Sequence, residues 1–227
     1  MEYTVALIAL VAVGVVVVLA MQASRERQRR EEYAQWASQY DWEYTPERSD
    51  LARQFSGTPF VRGGKVRHVL SGTHRDREVL AFEYSYTTST GGNPPSSTTH
   101  FYLVAAVRLP RARPTLEVTQ EHLGHSIMRV FGVDDLQLDN GEFNQAFRIS
   151  ADDDGFARHA LDHDVMRWML NDPRAMETPF RIEGDTLLAW KATRLTIPEM
   201  QALIDYQIDL LEQFSQDVWN DGPSPRR

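Results

Sequence analysis

The chain has 227 residues and a formal net charge of −8, from 24 Lys+Arg against 32 Asp+Glu, and an acidic balance of that size argues against a nucleic-acid partner. It has no cysteine, which excludes a disulfide framework, a thiol nucleophile and a cysteine-ligated metal. The charge is uneven: 14 Lys+Arg face 10 Asp+Glu between Arg25 and Arg113, and 10 face 21 from Pro114 onward.

Thr4 to Met21, TVALIALVAVGVVVVLAM, is 18 residues without a charge or a proline. Such a run reads as a membrane-spanning helix, and at 1.5 Å per residue it covers roughly 27 Å, enough for a thin bilayer core. A cleaved signal peptide would carry basic residues before the run; here Glu2 precedes it, and Arg25, Arg27, Arg29 and Arg30 follow. Basic flanks stay cytoplasmic, so the expectation is an uncleaved span with the N-terminus outside and the domain in the cytoplasm. The lipid bilayer is then a partner through residues 4–21. A soluble domain on the outer side is the alternative.

Arg25 to Tyr40 lacks proline and glycine and repeats Tyr33, Trp36, Ala37 and Tyr40 at helical steps. That pattern predicts a helix leaving the membrane, its aromatic stripe docked on the domain, and ending at Thr45-Pro46. Leu51, Ala52 and Phe55 suggest a short helix closed by Gly57.

Three strands follow, each with period-two alternation. Lys65–Thr73 places Val66, His68 and Leu70 on one face. Val79–Thr88 places Leu80, Phe82, Tyr84 and Tyr86 on one face and Glu83, Ser85 and Thr87 on the other. His100–Leu109 turns Phe101, Leu103, Ala105, Val107 and Leu109 inward. Ser89 to Ser97 reads as a long projecting loop. Arg108 to Pro114 breaks the pattern before a short strand at Leu116 and Val118.

Thr119 is a candidate cap for a helix running to about Phe131. Phe143, Phe147 and Ile149 mark a fifth strand after the Asp139-Asn140-Gly141 turn. Asp152 to Asp154 cap a helical stretch that Asn171-Asp172-Pro173 ends. Phe180–Glu183 and Thr186–Trp190 predict a hairpin across Gly184-Asp185. Thr196-x-x-Glu199 is a capping box for a last helix reaching about Val218.

The fold class is therefore α+β: an N-terminal transmembrane helix, then a mainly antiparallel sheet covered by helices on one face. The organisation reads as an anchor over 1–23, a juxtamembrane helix over 24–45, a soluble domain over 46–218 and a disordered tail over 219–227.

The segments LARQFSGTPF, AFEYSYTTST, LEVTQEHLGH, FNQAFRISADD, HDVMRWML and RIEGDTLLAW together resemble an uncharacterised family of single-pass membrane-anchored proteins from high-GC Gram-positive bacteria. The resemblance spans about Tyr33 to Phe214 and implies one anchor carrying one soluble module. It brings no activity, cofactor or site residue with it.

His159, His163 and Asp164 form the sharpest candidate for chemistry, since imidazoles four residues apart on one helix can share a metal, as a metal-dependent hydrolase would require. Against it, the Glu of H-E-x-x-H is missing, and Asp162 is placed to start a new helix that would separate the histidines. His122 and His125 are a weaker pair. Asp152, Asp153 and Asp154 fit a helix N-terminus better than a calcium loop, because the twelfth loop position is Leu161. Arg62, Lys65, Arg67, Arg75 and Arg77 could form one basic patch. No phosphate-binding glycine loop or nucleophile elbow is present. The resulting expectation is a membrane-anchored binding or scaffold module without catalysis or cofactor, working with a protein partner and not with nucleic acid.

Overall fold

The computed structural model describes residues 2–92, 96–120 and 136–220, with the side chains of residues 2 and 4–12 excepted. Helix α1 runs from Glu2 to Gln39, 38 residues without interruption. Among the described residues no helix is long and apolar enough to cross a membrane.

The helix stops well before Thr45-Pro46. Asp41 takes a left-handed conformation (φ 58°), and the Trp42 N–H bonds Ala37 O at 2.8 Å, closing the last turn as a Schellman motif. A side chain that tolerates positive φ does here what the sequence pattern sought in a proline. The chain then enters strand β1, Glu43–Glu47, which replaces the end of the expected juxtamembrane helix.

Strands β2 (Lys65–His74), β3 (Arg77–Thr90), β4 (Ser96–Gln120), β5 (Phe147–Ala151) and β6 (Phe180–Lys191) complete a six-stranded sheet. Its path is β1-β2-β3-β4-β5, with β6 also on β4, and every pairing is antiparallel. The β3 and β4 strands pair out to Thr90↔Ser96, so both ends of the expected Ser89–Ser97 loop are strand. Arg108 to Pro114 does not end β4; it marks two register shifts against β6. There the ribbon bends, with Gly184 at positive φ opposite Arg113. The bend brings the Trp190 N–H within 3.4 Å of Pro179 O. The two segments expected to form a hairpin are thus one bent strand that pairs with β4 throughout.

A bulge between Arg67 and Leu70 splits β2. A one-residue shift moves side chains to the opposite face. Val66 and Val69 therefore join one core, while Leu70 joins the other, contrary to the single face expected for Val66, His68 and Leu70. The larger core holds Ala81, Leu103, Ala105 and Val107 beneath α1 and helix α5 (Ile197–Gln213), with Tyr33, Leu203 and Ile208 from those helices. On the opposite face Phe82, Tyr84, Val104, Leu188 and Trp190 are also buried, but the cover is a 3₁₀ turn, Leu51–Arg53, and the irregular chain after it. Both faces are covered, and the most aromatic face of β3 lies away from the helices.

Three short helices lie between β4 and β6: α2 (Gly141–Ala146), α3 (Asp154–Ala160) and α4 (His163–Asn171). Asn140, Asp153 and Asp162 cap them through side-chain oxygens, and Thr196 caps α5. Phe143 belongs to α2 and not to the fifth strand. Helix α5 ends at Gln213, and helix α6 (Asp217–Asn220) follows, packing Trp219 against Phe214 where a tail was expected. Thr119 lies inside β4, paired with Arg148, so it caps no helix; the rest of that expected helix and the tail after residue 220 lie outside the described residues.

Candidate functional site

Two buried polar side chains, His68 and Glu83, meet where α1 crosses the sheet. Tyr33, on the expected docking stripe, turns into the core, and Arg29 lies one turn before it. Glu83 projects from β3 on the same side as Ala81 and is 4% exposed. Its Oε2 accepts from Arg29 Nη2 at 2.8 Å and from the Leu195 N–H at 3.2 Å. The Leu195 carbonyl accepts from the Tyr33 hydroxyl at 2.6 Å and from Arg29 Nη2 at 3.1 Å. Arg194 Nη1 stands 3.8 Å from Glu83 Oε1. Burial works against the Arg29 charge, but its hydrogen bond and attraction to Glu83 outweigh that and hold its pKa above the ordinary value.

The β2 bulge serves this junction. His68, at φ 50°, is turned toward α1, with its ring edge against Tyr33 at 5.0 Å. Tyr44 OH lies 2.9 Å from His68 Nδ1, and Glu26 Oε1 lies 3.2 Å from Nε2. Burial first, then the Arg29 charge, hold the His68 pKa below its ordinary value, against the pull of Glu26 and Glu83. Burial also pushes the Tyr44 hydroxyl up to about 12. Such an arrangement grips a helix.

Concavities lie elsewhere, among them a shallow one of about 370 Å³ at Trp168 and Asn171 to Arg174. A groove of about 530 Å³ runs over the second face, between Phe55 and the β3–β4–β6 surface at Leu80, Ala106 and Thr186, with Glu78, Glu183 and Asp185 on its rim. A pocket of about 260 Å³ sits at the C-terminal end of α1.

The residues that the sequence singled out for chemistry are not brought together. His159 falls in the last turn of α3, and His163 is the first residue of α4, separated by the Asp162 cap. His163 and Asp164 are exposed, and Asp164 is held by Arg167 at 2.6 Å. Among the described residues there is no group of three His, Cys, Asp or Glu that could hold a metal. His122 and His125 lie outside the described residues. The basic patch does not form either: Lys65 and Arg77 occupy opposite ends of the β2–β3 pair, and Arg75 is bound by Asp209 and Glu212 of α5. Trp190 is buried in the second core and Trp168 packs on Tyr206, as their apolar faces implied.

His68 is the packed strand histidine that its position implied, whereas Glu83, read on the polar face of its strand, is buried.

No family model matches the chain, and no curated protein matches it. A solved structure does: the crystal structure of the mycobacterial trehalose monomycolate transport factor A, TtfA, with a TM-score of 0.58 and 16% identity over 87% of this chain and 97% of the other. At that identity the likeness establishes a shared fold. The neighbour comes from the same bacterial group as the family that the sequence resembles.

Proposed function

We propose that this chain is a membrane-tethered, non-catalytic binding or scaffold module that holds a protein partner at the cell membrane, in the manner of a transport factor. The supporting observation is the junction. One uninterrupted helix carries both the apolar run and the Tyr33 face, and the second half of that helix is fixed to the sheet by Arg29, Glu83 and the Leu195 backbone. A catalytic domain on a tether needs only a flexible linker; a domain that must present one surface at a set angle needs a stiff one. The neighbour of the same fold is itself described as a transport factor, which agrees with a supporting role.

In this reading residues 4–21 span the bilayer once, with the N-terminus outside and the domain in the cytoplasm. Alkaline carbonate extraction of membranes from cells making the full chain is the test. The protein should stay in the pellet, and a variant with Val11 and Val15 replaced by Arg should move to the supernatant. Release of the unaltered chain would overturn the tether. A phosphatase fused after Arg227 should be inactive; activity would place the domain on the outer side instead.

A further inference from the structure

The pocket at the C-terminal end of α1 has aromatic walls. Trp36 and Trp42 meet at 5.3 Å with their planes 69° apart, and Tyr40 lies 5.1 Å from Trp36. Thr73, His74, Gln201 and Ile204 complete the lining. Tyr40 is 54% exposed, although it ends the stripe whose other members turn inward.

Two independent features give this pocket an appetite for positive charge. First, it sits where the partial negative charge of a 38-residue helix collects, and α1 has no basic residue in its last turn. Asp41 and Glu43 follow directly in the sequence, and Asp205, 2.8 Å from His74 and 4.0 Å from Arg75, stands beside the rim. Second, the aromatic faces have no cation. Arg29, Arg174, Arg181 and Arg194 each lie over an aromatic ring elsewhere, but among the described residues no cation lies over Trp36, Tyr40 or Trp42.

We propose that this pocket receives the guanidinium of an arginine presented by a partner protein. A guanidinium is flat, weakly hydrated and able to stack on aromatic faces while its N–H groups reach carbonyls at the end of a helix, whereas a lysine ammonium holds its water more tightly. A volume of about 260 Å³ accommodates one long side chain and not an extended ligand. The proposal rests on the binding role above and names the chemistry of the partner.

The experiment titrates the full-length chain with N-acetylarginine methylamide, following tryptophan emission and binding heat, beside the matched lysine and citrulline compounds. Citrulline keeps the shape of arginine and lacks its charge. Saturable binding is expected for arginine at roughly millimolar concentration, with the neutral analogue at least about fivefold weaker. Lysine should be weaker as well. Tyr40→Leu, at an exposed position outside the core, should weaken arginine binding about fivefold while thermal unfolding stays unchanged. Equal binding of citrulline or lysine, unchanged affinity in Tyr40→Leu, or no saturation with arginine would each overturn the assignment. Because the titration reads the pocket and carbonate extraction reads the tether, failure of one is distinguishable from failure of the other.

Discussion

The two faces of the sheet are both buried, but they are held by different means. One lies under regular helices, whose apolar stripes fill the space above Ala81, Ala105 and Val107. The other lies under chain without regular structure, where Phe55 and Phe60 stack on Phe82 and on each other. Irregular chain has backbone groups that no ladder satisfies, and buried polar groups must find partners. Side chains supply them here. Tyr84 OH donates to Val61 O and accepts from the Val61 N–H. Arg181, 4% exposed, binds the carbonyls of Ser56 and Thr58 while paired with Glu117. The helical face thus rests on apolar packing with charged contacts at its margins, Arg29–Glu83 under α1 and Arg75–Asp209 at α5, and the irregular face is tied down by its polar contacts.

Five substitutions would test that contrast. The largest effect is expected at the Arg29–Glu83 pair. Glu83→Ala leaves Arg29 without its buried partner and should cost about 3 kcal/mol in urea unfolding. Adding Arg29→Met should recover part of the loss, because the unpaired charge is then gone. On the other face, Arg181→Met should cost about 2 kcal/mol and open residues 48–64 to proteolysis while α1 stays protected. If the cleavage falls evenly along the chain, the segment is not a separately fastened cover.

Gly64→Ala should cost roughly 1–2 kcal/mol, since a Cβ there would run into the Tyr84 ring that holds Val61. The smallest effect is a pH dependence. With its pKa held down by burial and by Arg29, His68 refuses a proton that the unfolded chain accepts. Stability should be full above the ordinary histidine pKa of about 6.5 and decline as the pH falls toward the lower folded value. His68→Leu should flatten that slope; an unchanged slope would assign it to another group.

What was legible beforehand divides along the same line. Caps at Asp153, Asp162 and Thr196, the antiparallel strands and the docking stripe of α1 all follow from rules of local spacing. The Asp162 cap also decided the case of His159 and His163, since it breaks the helix between them. The bulge at His68, the stop at Asp41 and the bend of β4 with β6 were not legible. Each depends on a backbone conformation that only the finished packing stabilises. The alternation in β3 was correctly read, but the polar position at Glu83 looked like solvent when it was a socket for Arg29. A polar residue on the covered face of a sheet carries the same period as one on the open face, so spacing alone cannot separate them.

The unbroken course of α1 sets a phase relation between its two halves. At 3.6 residues per turn, one residue inserted between Ala23 and Ser24 would swing the domain by about 100° about the helix axis and lift it by about 1.5 Å. Four insertions would bring it nearly back to its original heading, about 6 Å farther along. A chain that works through one oriented surface should therefore lose its function and regain it with the periodicity of a helical turn.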